Sequence, residues 1–273
     1  EDYISEIEIV KGTSGNDSLY GDSNANSLFG NAGDDVIEGR EGADYLEGNA
    51  GADIINGGAD KDTIYGGADN DQLTGGAGND TLYGEAGLDT LIGSEGDDTF
   101  SGGADSDTLT YVSAGSSITV TLGNGSTDFG SIVSSTEGTD TLLDHIEIIK
   151  GSNYSDNIQG FNGTAIVGVD YSDTLYGESN SDIIYGGIGD DTIYGGSGDD
   201  IIRGQAGNDV IDGGDNDDTL DFSDANIGVQ VYLDSTDKNN VAVAFEVMED
   251  GFGGKDQVTS IEKIIGSNNA DTI

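Results

Sequence analysis

Aspartate recurs at a spacing of nine along most of this chain: Asp17, Asp35, Asp44, Asp53, Asp62, Asp71, Asp80, Asp89, Asp98 and Asp107, then Asp156, Asp173, Asp182, Asp191, Asp200, Asp209 and Asp218. Each stands sixth in a unit that opens on glycine in nearly every copy, and glycine-rich turns such as GGAGND (75–80) direct backbone carbonyl oxygens toward the same place. Carboxylates and carbonyls without histidine or cysteine make a hard, all-oxygen donor set. That set favours calcium over magnesium, which demands tighter octahedral geometry and keeps its waters.

Other chemistries lack their residues. The chain has one histidine, His145, and no cysteine, which removes thiolate metal sites, cysteine nucleophiles, disulfides and a two-histidine zinc helix. His145 has no serine–aspartate context and reads as a spacer residue beside a strand, so no catalytic residue is assigned and a non-enzyme is expected. The repeated carboxylates read as ligands rather than as the acid and base of a glycosidase. With 54 acidic residues against 8 basic ones the formal charge is −46, which argues against nucleic acid as a partner. No apolar run approaches the roughly 18 residues of a membrane span. Only 34% of residues are hydrophobic, so a thick core is not expected. A chain so charged either stays unfolded by itself or has cations in its folded state.

The elements that must position these carboxylates follow from the period. Eleven nine-residue units run without insertion from Gly12 to Thr110. The eighth place is always apolar, from Leu19 and Leu28 to Phe100 and Leu109, and the sixth departs from aspartate once, at Asn26. The fourth place holds only glycine, asparagine or aspartate, the types that tolerate a left-handed backbone. Six residues rich in glycine and Asx suit a turn, and the next three, such as Thr81-Leu82-Tyr83, suit a short strand whose middle residue faces inward. Two units then make one coil with its strands facing opposite ways. Stacked coils give two parallel sheets over a thin aliphatic core, and bring the sixth-place aspartates of units n and n+2 side by side. Those carboxylates would repel unless a cation bridged them. Counting such pairs gives at most nine sites in the first array and six in the second, up to about 15 calcium ions in all.

The expected organisation is 1–11, the end of a spacer; 12–110, a first array; 111–150, a spacer; 151–221, a second array; 222–265, a spacer; and 266–273, the start of a third array. The second array contains one eight-residue unit, 160–167, with Ala165 where aspartate is expected. Alternating SITVTL (117–122) and GVQVYL (228–233) read as strands, and SEIEIVKG (5–12), DHIEIIKG (144–151) and TSIEKIIG (259–266) are copies of one exit segment. Opening at Glu1 and stopping within a repeat, the sequence reads as a piece of a larger protein.

The phrase Gly75-Gly76-Ala77-Gly78-Asn79-Asp80-Thr81-Leu82-Tyr83 matches the repeats-in-toxin (RTX, hemolysin-type) nonapeptide at every specified place, as does 195–203. The chain therefore resembles that family, whose repeats cover both arrays. The resemblance implies an all-β fold, a right-handed parallel β-roll, with calcium between turns. It further implies carbonyl donors from the second and fourth residues of one turn and from the first and third of the turn two units on. On this sequence Asp62 and Asp80 would share an ion with the carbonyls of Gly58, Asp60, Gly75 and Ala77. The turns so assigned are Gly57, Gly58, Ala59 and Asp60; Gly66, Gly67, Ala68 and Asp69; Gly75, Gly76, Ala77 and Gly78; Gly186, Gly187, Ile188 and Gly189; and Gly195, Gly196, Ser197 and Gly198. The ion between Asn26 and Asp44 is expected to be the weaker for lacking one charge.

The resemblance also implies a calcium-folded structural region of a large secreted protein, adhesin or toxin in type, exported in one step and serving as a monomeric extracellular spacer. A carbohydrate- or ice-binding surface, and the non-catalytic support of a secreted hydrolase, are the alternatives. The first would use Tyr176, Tyr185 and Tyr194 at the ninth place or the threonine rank Thr63, Thr81 and Thr99, which Ser27 and Tyr45 interrupt. Extracellular partners of that kind include a cell-surface glycan.

Overall fold

The computed structural model describes residues 8–122, 130–144, 146, 148–159, 172–225, 227–233, 245–249 and 254–272. His145 and the short unit 160–167 lie outside the described residues. Those described form strands and turns with no helix.

Successive units give successive strands, such as Ile54–Ala59, Thr63–Ala68, Gln72–Ala77 and Thr81–Ala86. Alternate strands pair in parallel at a shift of 18 residues: Ile55 opposite Leu73 in one sheet, Ile64 opposite Leu82 in the other. This is a parallel β-solenoid of the β-roll kind. Eighth-place residues point inward from both sheets, and Leu46, Ile55, Ile64, Leu73, Leu82, Leu91, Ile184, Ile193 and Ile202 are all completely or almost completely buried. Each contributes about 1.5–3 kcal/mol on burial, which a single coil could not collect alone.

The strands are longer than the composition suggests. Most array strands run six residues, from the seventh place through the third of the next unit, rather than the three kept by Ser18–Tyr20, Thr90–Ile92 and Thr108–Thr110. The ladder skips the first-place glycine and resumes at the second and third, with Gly58 opposite Gly76 and Ala59 opposite Ala77. Glycine fits a strand here because the first place is crowded rather than flexible: a methyl on Gly57 would strike the Asp62 carboxylate and the Gly75 carbonyl. The bend falls instead at the second and fourth places, where φ is positive: +115° at Gly58 and +76° at Asp60. The fourth-place restriction to glycine and Asx thus has the left-handed backbone as its cause. The second place does the same without advertising it, since Asn49 (+80°), Arg40 (+85°) and Glu85 (+78°) stand there too.

The chain divides into two compact units, Glu1–Ala114 with Ser135–Ile146, and Gly115–Ser134 with Glu147–Ile273. In the first, Gly138–Leu142 joins the sheet in parallel to Thr99–Ala104, Leu142 opposite Phe100. In the second, Ile118–Leu122 pairs antiparallel with Gly130–Ser134 and parallel with Asn157–Gln159. There also Asp256–Thr259 pairs in parallel with Val210–Asp215, and antiparallel with Phe245–Glu249. The three exit segments supply Ile9–Lys11, Ile148–Lys150 and Lys263–Ile265, each in parallel register with an array strand.

Candidate metal centre

The turn at the fourth and fifth places delivers each sixth-place aspartate to the inside edge of the coil. There the backbone N–H of one aspartate donates to Oδ1 of the aspartate 18 residues later. Asp44 donates to Asp62, Asp62 to Asp80 and Asp80 to Asp98, each at 2.8 Å. Asp53 to Asp71 and Asp71 to Asp89 repeat the distance in the other rank. Asp173 to Asp191 (2.8 Å), Asp182 to Asp200 (2.8 Å), Asp191 to Asp209 (2.9 Å) and Asp200 to Asp218 (2.9 Å) continue it in the second array. The predicted neighbours n and n+2 do lie side by side.

The second oxygen behaves differently. Oδ2 of Asp35, Asp44, Asp53, Asp62, Asp71, Asp80, Asp89, Asp98, Asp182, Asp191, Asp200 and Asp218 is buried with no hydrogen-bond partner. A buried polar atom without a partner is rare and costly, and a periodic series of them needs a common explanation. Those of Asp35, Asp44, Asp53, Asp62, Asp71, Asp89, Asp182, Asp191 and Asp200 face a small space beside the first-place glycine of their own turn, with the carbonyl of the glycine 18 residues on at its border. A methyl on Gly186, for instance, would lie 2.6 Å from Asp191 Oδ2 and 2.5 Å from the Gly204 carbonyl oxygen. Gly57, Gly66, Gly75 and Gly195 border the same kind of space. Gly58, Gly67, Gly76, Gly187 and Gly196 hold the second place, and Asp60, Asp69, Gly78, Gly189 and Gly198 the fourth, all with positive φ. The carbonyls of Gly58 and Asp60 abut Gly76 and Gly78 of the coil above. Third-place Ala59, Ala68, Ala77, Ile188 and Ser197 end the strands, and the Ala68 carbonyl accepts the Gly51 N–H at 3.2 Å.

Burial raises these carboxyls: Asp62, Asp71 and Asp218 to about 7, and Asp98, Asp182 and Asp191 to about 8. Loss of water is the largest cause, the donated N–H opposes it, and neighbouring carboxylates add to it. Protein cations give the ranks little relief: Lys61 lowers Asp80 somewhat against the effect of burial, while the ion pairs among the described residues join Arg40 with Glu38 and Arg203 with Asp221 and Asp224. Among the described residues no three His, Cys, Asp or Glu side chains cluster as a metal cage. Paired carboxylate oxygens bordered by backbone carbonyls are hard oxygen donors of the class that suits calcium.

The first aspartates of the arrays stand apart. Asp17 Oδ2 accepts from the Thr13 N–H (2.6 Å) and hydroxyl (2.9 Å), and Asp156 Oδ2 from the Ser152 N–H (2.6 Å), with its Oδ1 taking the Ser152 hydroxyl (2.7 Å). The signal was visible as glycine followed by serine or threonine at the head of each array, at 12–13, 151–152 and 266–267. Asn26 holds its aspartate slot, buried, and donates its N–H to Asp44 Oδ1 at 2.7 Å.

Two features escaped the sequence reading. Asp140 and Asp256 enter the ranks from the spacers, accepting the N–H of Asp98 (2.8 Å) and Asp209 (3.1 Å). GTDTLL (138–143) and GKDQVT (254–259) carry the second half of the nonapeptide, which could have revealed them. The fifth place, unrestricted in the motif, forms a counter-running ladder. Asn16 Oδ1 accepts the Asp34 N–H (3.0 Å), Asp34 that of Ala52 (3.1 Å), and Asp190 that of Asn208 (2.7 Å).

The outer faces bear on the alternatives. Thr63, Thr81, Thr99 and Thr141 stand in register on one sheet, with Tyr45 and then Ser27 continuing the rank. Ninth-place tyrosines turn their ring faces to one another, Tyr65 on Tyr83 at 4.7 Å and Tyr176 on Tyr194 at 4.8 Å, while Tyr185 receives Arg203. Among the described residues no helix is long and apolar enough to cross a membrane.

A family model, the RTX calcium-binding nonapeptide repeat, matches residues 11–46, 38–73, 74–109, 167–202 and 194–226, more than half of the chain. No curated protein gives a significant match.

Proposed function

Because the chain belongs to the RTX calcium-binding nonapeptide repeat family, we propose that this calcium-binding structural region folds when it meets calcium outside the cell and serves there as a rigid spacer of a larger secreted adhesin or toxin. The observation that supports this most is the series of buried Oδ2 atoms without partners. Calcium placed between turns n and n+2 would give each such oxygen its partner, cancel the repulsion along the rank and lock adjacent coils.

The aspartates from Asp35 to Asp107 and from Asp173 to Asp218 supply the charge. First-place glycines such as Gly57 and Gly75 leave room and offer carbonyls, and the second- to fourth-place carbonyls complete the shell. Binding and folding are then one reaction, since an unfolded chain has no adjacent turns. A site whose free calcium stands 100-fold above its Kd adds about 2.7 kcal/mol, so a few sites outweigh the marginal stability of a thin core. In a calcium-poor cytosol the chain would remain unfolded and fit for export; in an extracellular medium it would fold.

Circular dichroism across a calcium titration, with excess chelator as the starting point at pH 7.5, tests the reading. A cooperative gain of β signal is expected, and a fully formed β signal in chelator would overturn it.

A further inference from the structure

The rank Asp182, Asp200, Asp218 does not stop at the last nonapeptide. Its next occupant is Glu262, in the spacer and beyond every family match. The chain arrives there by a shortened turn: Val258 and Ile264, which stand opposite the eighth-place residues Ile211 and Leu220, are six residues apart where a repeat spaces them by nine. The bonds are nonetheless those of the array. The Asp218 N–H donates to Glu262 Oε2 at 2.7 Å, as the Asp200 N–H does to Asp218 Oδ1 at 2.9 Å. The Lys263 N–H donates to the Asp218 carbonyl at 2.9 Å, as the Thr219 N–H does to that of Asp200 at 2.8 Å. The extra methylene of glutamate offsets the shorter turn. Ser260, at φ +54°, aims its carbonyl at the space beside Gly213, which Asp218 Oδ2 also borders. Asp218 is fully buried and that oxygen has no partner.

We propose that Asp218, the Ser260 carbonyl and Glu262 form a calcium site closing the second array, one that no nonapeptide motif marks. It rests on the calcium reading above, so the test carries a control inside the first array. Calcium is counted on the full chain by native mass spectrometry at saturation, for wild type, Glu262→Gln and Asp62→Asn. The amide of Glu262→Gln still accepts the Asp218 N–H but loses the charge. One ion fewer is expected in Glu262→Gln, and up to two fewer in Asp62→Asn, whose carboxylate pairs with both Asp44 and Asp80. An unchanged count in Glu262→Gln beside a loss in Asp62→Asn overturns the site alone, and no loss in either overturns the calcium reading with it. Should Glu262→Gln not fold, Glu262→Asp keeps the charge but withdraws it by one methylene; a tenfold weaker final binding step is expected, and an unchanged titration overturns the site.

The end of the first array carries a second inference independently. Tyr111 is fully buried, and its hydroxyl donates to Asp140 Oδ2 while Asp140 Oδ1 takes the Asp98 N–H at 2.8 Å. Its ring fills the space beside Gly93, so that a methyl there would strike the ring instead of a carboxylate and a carbonyl. We infer that the Tyr111 phenol stands in for the ion between Asp98 and Asp140, ending the ladder without calcium. In the same counting experiment Asp140→Asn should leave the number of ions unchanged, and Tyr111→Gly, which restores a first-place glycine, should add one. Loss of an ion in Asp140→Asn, or a folded Tyr111→Gly that binds no more than wild type, would overturn it.

Discussion

The two arrays leave their last full turn on a buried aromatic residue and differ in which one it is and where its ring lies. Tyr111 and Phe222 both follow the final repeat strand, both are buried, and both accept a backbone bond three residues on, from Ala114 (2.8 Å) and Ala225 (3.0 Å). Each chain then makes an excursion and returns an aspartate to the rank, Asp140 or Asp256. The first ring reaches the space beside Gly93 and offers Asp140 a hydroxyl. The second carries no hydroxyl, and Asp209 atoms are what lie closest to Gly204. Each array thus ends on a buried aromatic residue and a returning strand, and at the first of them a phenol hydroxyl meets the returning carboxylate.

Chelation should have the largest effect on this comparison. Removing calcium at pH 7.5 is expected to abolish most β signal in both arrays. Hydrogen exchange should then find the last residual protection at Asp98 and Thr141, beside the phenol, before Asp209 and Gln257. Equal exposure at both ends would show that Tyr111 adds nothing without ions.

The ion-free chain should also depend on pH in an unusual direction. Asp191 and Asp182 titrate near 8 and Asp62 near 7 when folded, against about 4 when unfolded. The folded state thus binds more protons. Its stability is fully present below about pH 4 and is lost as pH rises through 7 to 8. In chelator, β signal should grow on acidification from pH 8 to 5, a trend most carboxylate-rich proteins reverse. Asp140, held near 6 with the Tyr111 hydroxyl as donor, should share less in it than Asp191. With calcium present the sign inverts, because protons compete for the same oxygens, and affinity should fall as pH drops below about 7.

Exchange of the end residues comes next in size. Tyr111→Phe leaves the ring in place and strips Asp140 of its donor, at a cost of about 1–3 kcal/mol for a buried acceptor. Phe222→Tyr offers the second array the hydroxyl it lacks. Thermal melts in calcium should fall for the first variant; a gain for the second, with no gain in ions, would make the two ends equivalent.

Much of this was legible before any coordinates. The period implied two sheets, the eighth-place aliphatics implied the core, and the sixth-place aspartates pointed to calcium because the chain has one histidine and no cysteine to compete as ligands. Three things were hidden for physical reasons. Strand length was underestimated because first-place glycine reads as a turn former, whereas Gly57 is extended and chosen for its missing side chain. Asp140 and Asp256 were hidden because the period is broken by excursions that the hydrogen-bond register ignores. Tyr111 carries no mark in the sequence beyond following the last repeat strand, and only its position opposite Gly93 reveals a polar duty.

The smallest effect should come from the fifth place. Its side chains bond forward along the stack, Asn79 Oδ1 taking the Asp97 N–H (3.2 Å) and Asp97 that of Thr139 (2.9 Å), while the sixth-place ladder bonds backward. The bonds are exposed, so water competes for each, and a net value of about 0.5–1 kcal/mol is the most one should contribute. They also involve no buried carboxylate oxygen and no cradle. Asn79→Ala should accordingly lower the melting temperature by the same small amount in saturating and in barely sufficient calcium, and leave the midpoint of the calcium titration in place. Asp97→Ala removes the corresponding bond at the Tyr111 end and should behave alike. A shift in calcium midpoint in either variant would mean that the outer ladder helps to hold the ions, and that the two ladders are one device.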